Sequence, residues 1–124
     1  MRFTLLLIVL NSAFCIAQKA EFFCPSKTYK FPETKEGAIL QHTFKVYNKG
    51  TAPFQLINYD VECSCTSVDF EKVYLQPGDS SAINVTFNTE GRVFYQDRII
   101  KITTNIRKKP YLLRFKVKVT PKPE

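Results

Sequence analysis

Two cysteines separated by one residue are the place in this chain where unusual chemistry could occur. Cys63 and Cys65 stand in the stretch Glu62-Cys63-Ser64-Cys65-Thr66. On a flat strand, residues two apart lie on one face at about 6.6 Å. A disulfide needs Cα atoms roughly 4.4–6.8 Å apart with converging Cβ atoms. A direct Cys63–Cys65 bond therefore requires a turn or bulge, and a strained bond of this kind would be an easily reduced redox site.

A soft metal ion is the second chemistry that these thiols allow. Two thiolates and one imidazole suit copper(I) or zinc. His42 is the sole histidine of the chain, and it falls on the apolar face of a predicted strand, where it could supply the third ligand. The competing interpretation of His42 is a histidine at the edge of the core, hydrogen-bonded to backbone. No other cofactor is predicted.

A structural role is the third possibility for the cysteines. They could be small buried residues, or one of them could form a disulfide with Cys24. If Cys15 is removed with a leader, three cysteines remain. An odd number leaves at least one thiol free, bound to a metal or joined to another molecule. The pairing of Cys24, Cys63 and Cys65 stays open at this point.

Residues 1–17 have the pattern of a secretory signal peptide. Arg2 precedes the apolar run Phe3–Leu10, and Cys15-Ile16-Ala17 provides a small residue for cleavage before Gln18. The run is too short to cross a bilayer as a helix. Phe14 argues against lipidation of Cys15, because the residue before a lipidated cysteine is expected to be small. We therefore expect a secreted or periplasmic domain, residues 18–124, with no transmembrane segment after cleavage.

The remaining chain reads as six to eight short strands separated by turn residues. The strand predicted over Ile39–Asn48 alternates apolar and polar side chains, as expected when one face of a sheet covers a core. Lys19–Tyr29 reads as an edge strand interrupted by Pro25, and Phe31–Gly37 reads as a loop. Parallel pairing is not expected, because no connection has room for a crossover helix. These features predict an all-β, immunoglobulin-like antiparallel sandwich of about seven strands.

Charge and composition exclude several functions. The formal net charge of +7 could give affinity for anionic surfaces, glycans or nucleic acid. Most charges are scattered, however, and the one run, Arg107-Lys108-Lys109, falls in a predicted turn. The Lys116 and Lys118 stripe is interpreted as a solvated strand face, so no nucleic acid is expected as partner. With one histidine on an apolar face, acid–base catalysis has almost no candidate residues, and no enzyme is predicted.

Several motifs occur in an order that is similar to a known family. They are His42-Thr43-Phe44, Asn48-Lys49-Gly50, Pro53, Cys63-Ser64-Cys65-Thr66, Pro77-Gly78-Asp79 and Asn105. From Phe31 to Val119 the chain resembles the bacterial secreted domain-of-unknown-function family 1573. The resemblance implies an immunoglobulin-type sandwich related to major-sperm-protein and pilus-chaperone domains. Glu62 and Ser64 depart from the serine and glycine usual in that family, which has no settled activity.

The sequence as a whole predicts an exported, non-enzymatic immunoglobulin-like module that binds or has a structural role in the cell envelope. Its partner would be a protein or an envelope component held at a loop or strand edge, since exposed edges accept extended segments by backbone pairing. The alternative is a copper- or thiol-handling protein that acts through Cys63-Ser64-Cys65.

Overall fold

Alternating apolar and polar side chains form ten strands in residues 17–123, the part of the chain that the computed structural model describes. No helix is present in these residues. The predicted signal peptide lies almost entirely outside them and stays a prediction. The strands are β1 (Phe22–Phe23), β2 (Thr28–Lys30), β3 (Thr34–Lys35), β4 (Ile39–Asn48), β5 (Phe54–Val61), β6 (Thr66–Asp69), β7 (Tyr74–Leu75), β8 (Ser80–Asn88), β9 (Phe94–Thr104) and β10 (Tyr111–Thr120).

The strands form two sheets packed face to face. One sheet has the order β1-β4-β8-β6, and the other has the order β2-β10-β9-β5-β7 with β3 also paired to β10. The long antiparallel ladders are β4 with β8 and β9 with β10. The predicted immunoglobulin-like sandwich is therefore confirmed. It has ten strands rather than about seven, because strands of two or three residues are too short to show a period.

The core lies between the two sheets and follows the period of two in the sequence. In β4 the side chains of Leu40, His42, Phe44 and Val46 point inward, as predicted. Every second residue of β10 is buried or half-buried in the same way. Aromatic rings fill the centre, since Phe44, Phe54, Phe87 and Phe115 are each at most 1 % exposed.

The first part of the chain belongs to both sheets, which corrects two expectations. β1 pairs antiparallel with β4, and then the chain passes Pro25 and pairs as β2 and β3 parallel to β10. The predicted loop Phe31–Gly37 thus contains a short strand. The expectation of purely antiparallel pairing was wrong because it considered only neighbouring strands. Here the crossover between the parallel strands is the whole intervening domain.

Asn48 joins three parts of this fold through one buried side chain. Asn48 is 0 % exposed. Its Oδ1 accepts hydrogen bonds from the backbone N–H groups of Glu21 (3.3 Å) and Gly50 (2.9 Å). Its Nδ2 donates to the carbonyls of Ala52 (2.8 Å) and Leu75 (2.9 Å). A buried amide with all these partners satisfied fixes the segment before β1, the β4–β5 turn and β7 relative to one another.

Candidate functional site

Cys63 and Cys65 form a disulfide in the turn between β5 and β6. Their Cα atoms are 5.1 Å apart, closer than the spacing of a flat strand. The backbone turns because Thr66 N–H donates to the carbonyl of Cys63 (3.1 Å). The N–H of Cys65 also lies 3.1 Å from the Cys63 sulfur. The turn that the sequence requires for a direct bond between these residues is thus present.

The disulfide is partly open to solvent. Both cysteines are half-buried and Ser64 between them is exposed. Cys65 packs against the core, and its carbonyl accepts a hydrogen bond from Asn88 N–H (2.9 Å). A depression of about 330 Å³ lies beside it, lined by Ser64, Cys65, Asn88, Glu90 and Arg92. The depression thus opens to solvent beside Cys65.

His42 lies away from the two cysteines, among aromatic rings. Its ring stacks on Tyr29 at 3.7 Å and meets the edge of Phe44 at 4.6 Å. Burial lowers the pKa of His42 below its usual 6.5, so the ring is neutral at pH 7. These contacts place it at the edge of the core, as one interpretation predicts, although its neighbours are rings rather than a backbone acceptor.

The structure does not assemble the predicted ligand set of His42, Cys63 and Cys65. The central strand β8 separates β4, which carries His42, from β6, which follows the cysteines. Within residues 17–123 no group of three or more His, Cys, Asp or Glu side chains could hold a metal ion. Both sulfurs are also used in the disulfide. Binding of copper or zinc by the two reduced thiols remains a prediction.

Cys24 is a free, buried thiol that the structure does not pair with Cys63 or Cys65. It is 4 % exposed and belongs to the core. Its sulfur donates to the carbonyl of Ser26 at 3.4 Å. Burial raises the pKa of the Cys24 thiol, so that at neutral pH it is protonated and a poor nucleophile. Its role here is packing.

Arg98, which packs near Phe87 of β8, was not identified from the sequence. It lies on the same face of β9 as the inward-facing Ile100 and Ile102. Its guanidinium carbon is 5.9 Å from the ring centre of Phe87, and its Nε is buried with no hydrogen-bond partner among the described residues. Because Phe87 precedes Asn88, the guanidinium and the Cys65 carbonyl flank the same two residues of β8. The period of two in β9 was the signal that could have identified it.

Among residues 17–123, no strand pairs with most of the outer edge of β4. β1 pairs only with Tyr47 and Asn48 at the end of β4. The N–H of Asn48 donates to the backbone carbonyl of Asp79, on the side of β8. The N–H of Lys49 donates to the backbone carbonyl of Glu21, on the side of β1. Backbone groups alternate in direction along a strand, so the odd-numbered residues of β4 point away from β8.

Gln41, Thr43 and Lys45 therefore direct their N–H and C=O groups along this free edge. No strand in residues 17–123 pairs with them. From Ile39 to Lys45 the edge is about 20 Å long at the usual rise of a strand. Natural proteins normally protect an edge of this length. Because no strand in the described residues pairs with this one, its backbone groups are available to another segment.

The fold is similar to that of several solved structures. A protein of unknown function from Porphyromonas gingivalis W83 has a TM-score of 0.69 and 16% identity, over 86% of this chain and 50% of that chain. The ASH / PapD-like domain 7 of human CEP192 has a TM-score of 0.55 and 14% identity, over 100% and 99% of the two chains. The Vibrio cholerae VesB protease has a TM-score of 0.61 and 10% identity, over 82% and 32%. At these identities the likeness concerns the fold alone.

The chain thus spans half of the Porphyromonas protein and about a third of VesB. None of the curated proteins compared with it matches. Between residues 17 and 123 there is no helix of the length and hydropathy needed to cross a bilayer. The family model described as "Protein of unknown function (DUF1573)" matches residues 23–119. The chain therefore belongs to the DUF1573 family, and its immunoglobulin-like sandwich is similar in fold to a PapD-like domain.

Proposed function

We propose that this protein is an exported, non-enzymatic binding module that holds an extended segment of a partner protein or envelope component against β4. The observation that carries the proposal is the uncovered edge of β4 from Ile39 to Lys45. An extended segment placed there would pair with the free backbone groups of Gln41, Thr43 and Lys45 and extend the sheet by one strand.

The surroundings of the edge define the kind of segment it accepts. On the inner side, the stacked rings of Tyr29 and His42 form an apolar surface between the two sheets. Ile39, which is 63 % exposed, adds apolar area at one end of the edge, and Lys45 supplies a positive charge at the other. Since side chains alternate along a strand, the expected partner alternates apolar and polar residues and places an acidic residue opposite Lys45.

The replacement Thr43→Pro tests this proposal. Thr43 N–H points away from β8, so proline removes a donor from the free edge and leaves the ladder to β8 intact. Thr43→Ala is the matched control. It removes the exposed side-chain hydrogen bond to Asn84 (2.8 Å) but keeps the backbone donor. Both variants should unfold cooperatively, which thermal unfolding checks.

Immobilised protein would be exposed to envelope extract, and hydrogen exchange would be followed at the amides of Gln41, Thr43 and Lys45. We expect the wild type and Thr43→Ala to retain a component that protects these amides, and Thr43→Pro to lose it. Equal retention by all three proteins, or retention without protection of the β4 amides, would show that the edge is not the binding surface.

A second candidate function is thiol–disulfide exchange at Cys63 and Cys65. The half-exposed disulfide within a three-residue turn favours it. A thiolate of a dithiol partner would attack one sulfur and displace the other as a thiolate that takes up a proton. The second partner thiol would then resolve the mixed disulfide, leaving the partner oxidised and both cysteines reduced.

A count of free thiols in folded protein across a series of dithiol concentrations tests this exchange. We expect two additional thiols to appear while Cys24 stays unreactive and the fold is retained. A disulfide that opens only when the protein unfolds would exclude the exchange function. Titration of copper(I) into the reduced form would then show whether the two thiols bind metal, with no stoichiometric uptake excluding it.

A further inference from the structure

Three cationic side chains line a groove at one end of the sandwich, and two more follow in the adjoining turn. Lys19 precedes β1, Lys49 lies in the turn after β4, and Arg107-Lys108-Lys109 forms the turn between β9 and β10. A groove of about 780 Å³ is lined by Lys19, Lys49 and Arg107, with Glu21 as the acidic residue among its walls. We call these five side chains the basic end. The sequence shows only the run at 107–109, and the fold adds the two lysines.

The basic end is held in place without being neutralised. The Arg107 guanidinium lies 3.7 Å from the ring centre of Tyr111, and its Nε donates to the carbonyl of Lys109 at 2.9 Å. The Lys49 ammonium lies 3.6 Å from the ring centre of Phe23. Rings of this kind attract cations but leave their charge uncancelled.

No carboxylate forms an ion pair with these five groups among the described residues. The ion pairs of residues 17–123 are Arg114–Asp97, Lys118–Glu33 and Lys122–Glu90. Unpaired like charges that are close together repel one another, and an anionic partner removes that repulsion. The basic end therefore favours a ligand that presents several negative charges.

We propose that the basic end docks on an anionic membrane surface through the phosphate groups of lipid headgroups. The cations project from two turns and the segment before β1 at the same end of the sandwich, which suits a broad charged layer better than a single ion. Each lysine or arginine near such a surface strengthens binding roughly fivefold.

The outer face of the second sheet provides a matched control. Its groove of about 840 Å³ also contains three lysines, Lys30, Lys116 and Lys118. There, however, Glu33 and Asp97 line the same groove, and Glu33 lies 3.9 Å from Lys118. Removing these three lysines changes the net charge as much as removing three from the basic end, but at a partly neutralised place.

The experiment is co-sedimentation with vesicles of phosphatidylcholine, with and without phosphatidylglycerol, at low salt. The basic-end variant is Lys19→Gln/Lys49→Gln/Lys108→Gln, and the control is Lys30→Gln/Lys116→Gln/Lys118→Gln. The replaced groups are exposed or half-exposed, and thermal unfolding verifies that both variants fold. We expect binding only to vesicles with phosphatidylglycerol. The basic-end variant should weaken this binding on the order of 100-fold, and the control by only a fewfold.

Three results would overturn the proposal. Equal losses in the two variants would show that net charge alone is responsible. Equal binding to phosphatidylcholine would show that the headgroup charge is irrelevant. Capture of soluble polyphosphate by the basic end, without binding to vesicles, would assign a free anion instead. Thr43→Pro should bind vesicles as the wild type does, so a failure of the β4 proposal is distinguishable from a failure of this one.

Discussion

Replacing Gly50 by alanine should detach the segment before β1 from the sandwich. A Cβ atom at Gly50 would overlap the carbonyl oxygen of Lys19 and would lie 2.6 Å from the nitrogen of Glu21 and 2.8 Å from the carbonyl carbon of Ala20. All three are backbone atoms, so no side chain can rotate away to make room. The segment itself must move, and its hydrogen bonds must lengthen or break.

Four hydrogen bonds hold this segment to the β4–β5 turn. They are Lys49 N–H to Glu21 C=O (3.1 Å), Thr51 N–H to Lys19 C=O (2.8 Å), Lys19 N–H to Thr51 Oγ1 (3.0 Å) and Glu21 N–H to Asn48 Oδ1 (3.3 Å). Each contributes about 1 kcal/mol net, and exposing Phe22 would cost about 2 kcal/mol more. Complete displacement thus costs about 6 kcal/mol, and partial adjustment should still cost at least about 2 kcal/mol.

Urea unfolding of wild type and Gly50→Ala gives the difference in free energy of unfolding. Gly91→Ala is the control, because a Cβ there meets nothing within 4 Å although φ is +71°. It should lose only the roughly 1–2 kcal/mol of left-handed backbone. A loss below about 1 kcal/mol in Gly50→Ala would refute the close approach between Gly50 and the backbone of Lys19, Ala20 and Glu21. Hydrogen exchange should show the amides of Lys49 and Thr51 exposed in Gly50→Ala.

The remaining predictions concern the thiols, the buried amide and the histidine. Replacing Cys63 and Cys65 together by serine should cost no more than about 1.6 kcal/mol in urea unfolding, because the closed loop has only three residues; a variant that fails to fold would make the bond a structural staple. Asn48→Ala should cost about 3 kcal/mol or more, because buried partners lose their hydrogen bonds; a loss under 1 kcal/mol would contradict this. Burial lowers the pKa of His42 from its usual 6.5, so the unfolded chain binds more protons just below that pH and stability should fall on acidification. His42→Phe should flatten this part of the stability–pH profile, and an unchanged profile would exclude His42 as the cause. Cys24 should resist alkylation in native protein and react after unfolding; rapid native alkylation would refute its burial.

The long strands were predictable because their period of two is a property of the local sequence. The strand Ile39–Asn48 has the predicted bounds, and its apolar face, which carries His42, points inward as predicted. The parallel pairing of β2 and β3 with β10 was not predictable in this way. It depends on which strand edge is free after the other strands have paired, and that is a property of the whole fold.

The candidate site shows the same difference between features that the local sequence determines and features that depend on the whole fold. A three-residue spacing restricts Cys63 and Cys65 to a few geometries, so a turn disulfide could be named as one alternative in advance. The separation of His42 from them depends on β8 lying between β4 and β6, which no local pattern encodes. The motif Asn48-Lys49-Gly50 gives no local sign that the Asn48 side chain is buried. Its burial arises because segments from far along the chain converge on its amide.

The parallel docking of β2 and β3 on β10 has a consequence for how the chain matures. The first strands of the second sheet have no place to pair until the final ten-residue strand is available. Contacts between segments that are far apart in the sequence form slowly, because a long loop must close before these contacts can form. β10 is synthesised after all the other described strands, so the second sheet of this domain stays incomplete until β10 has emerged from the ribosome.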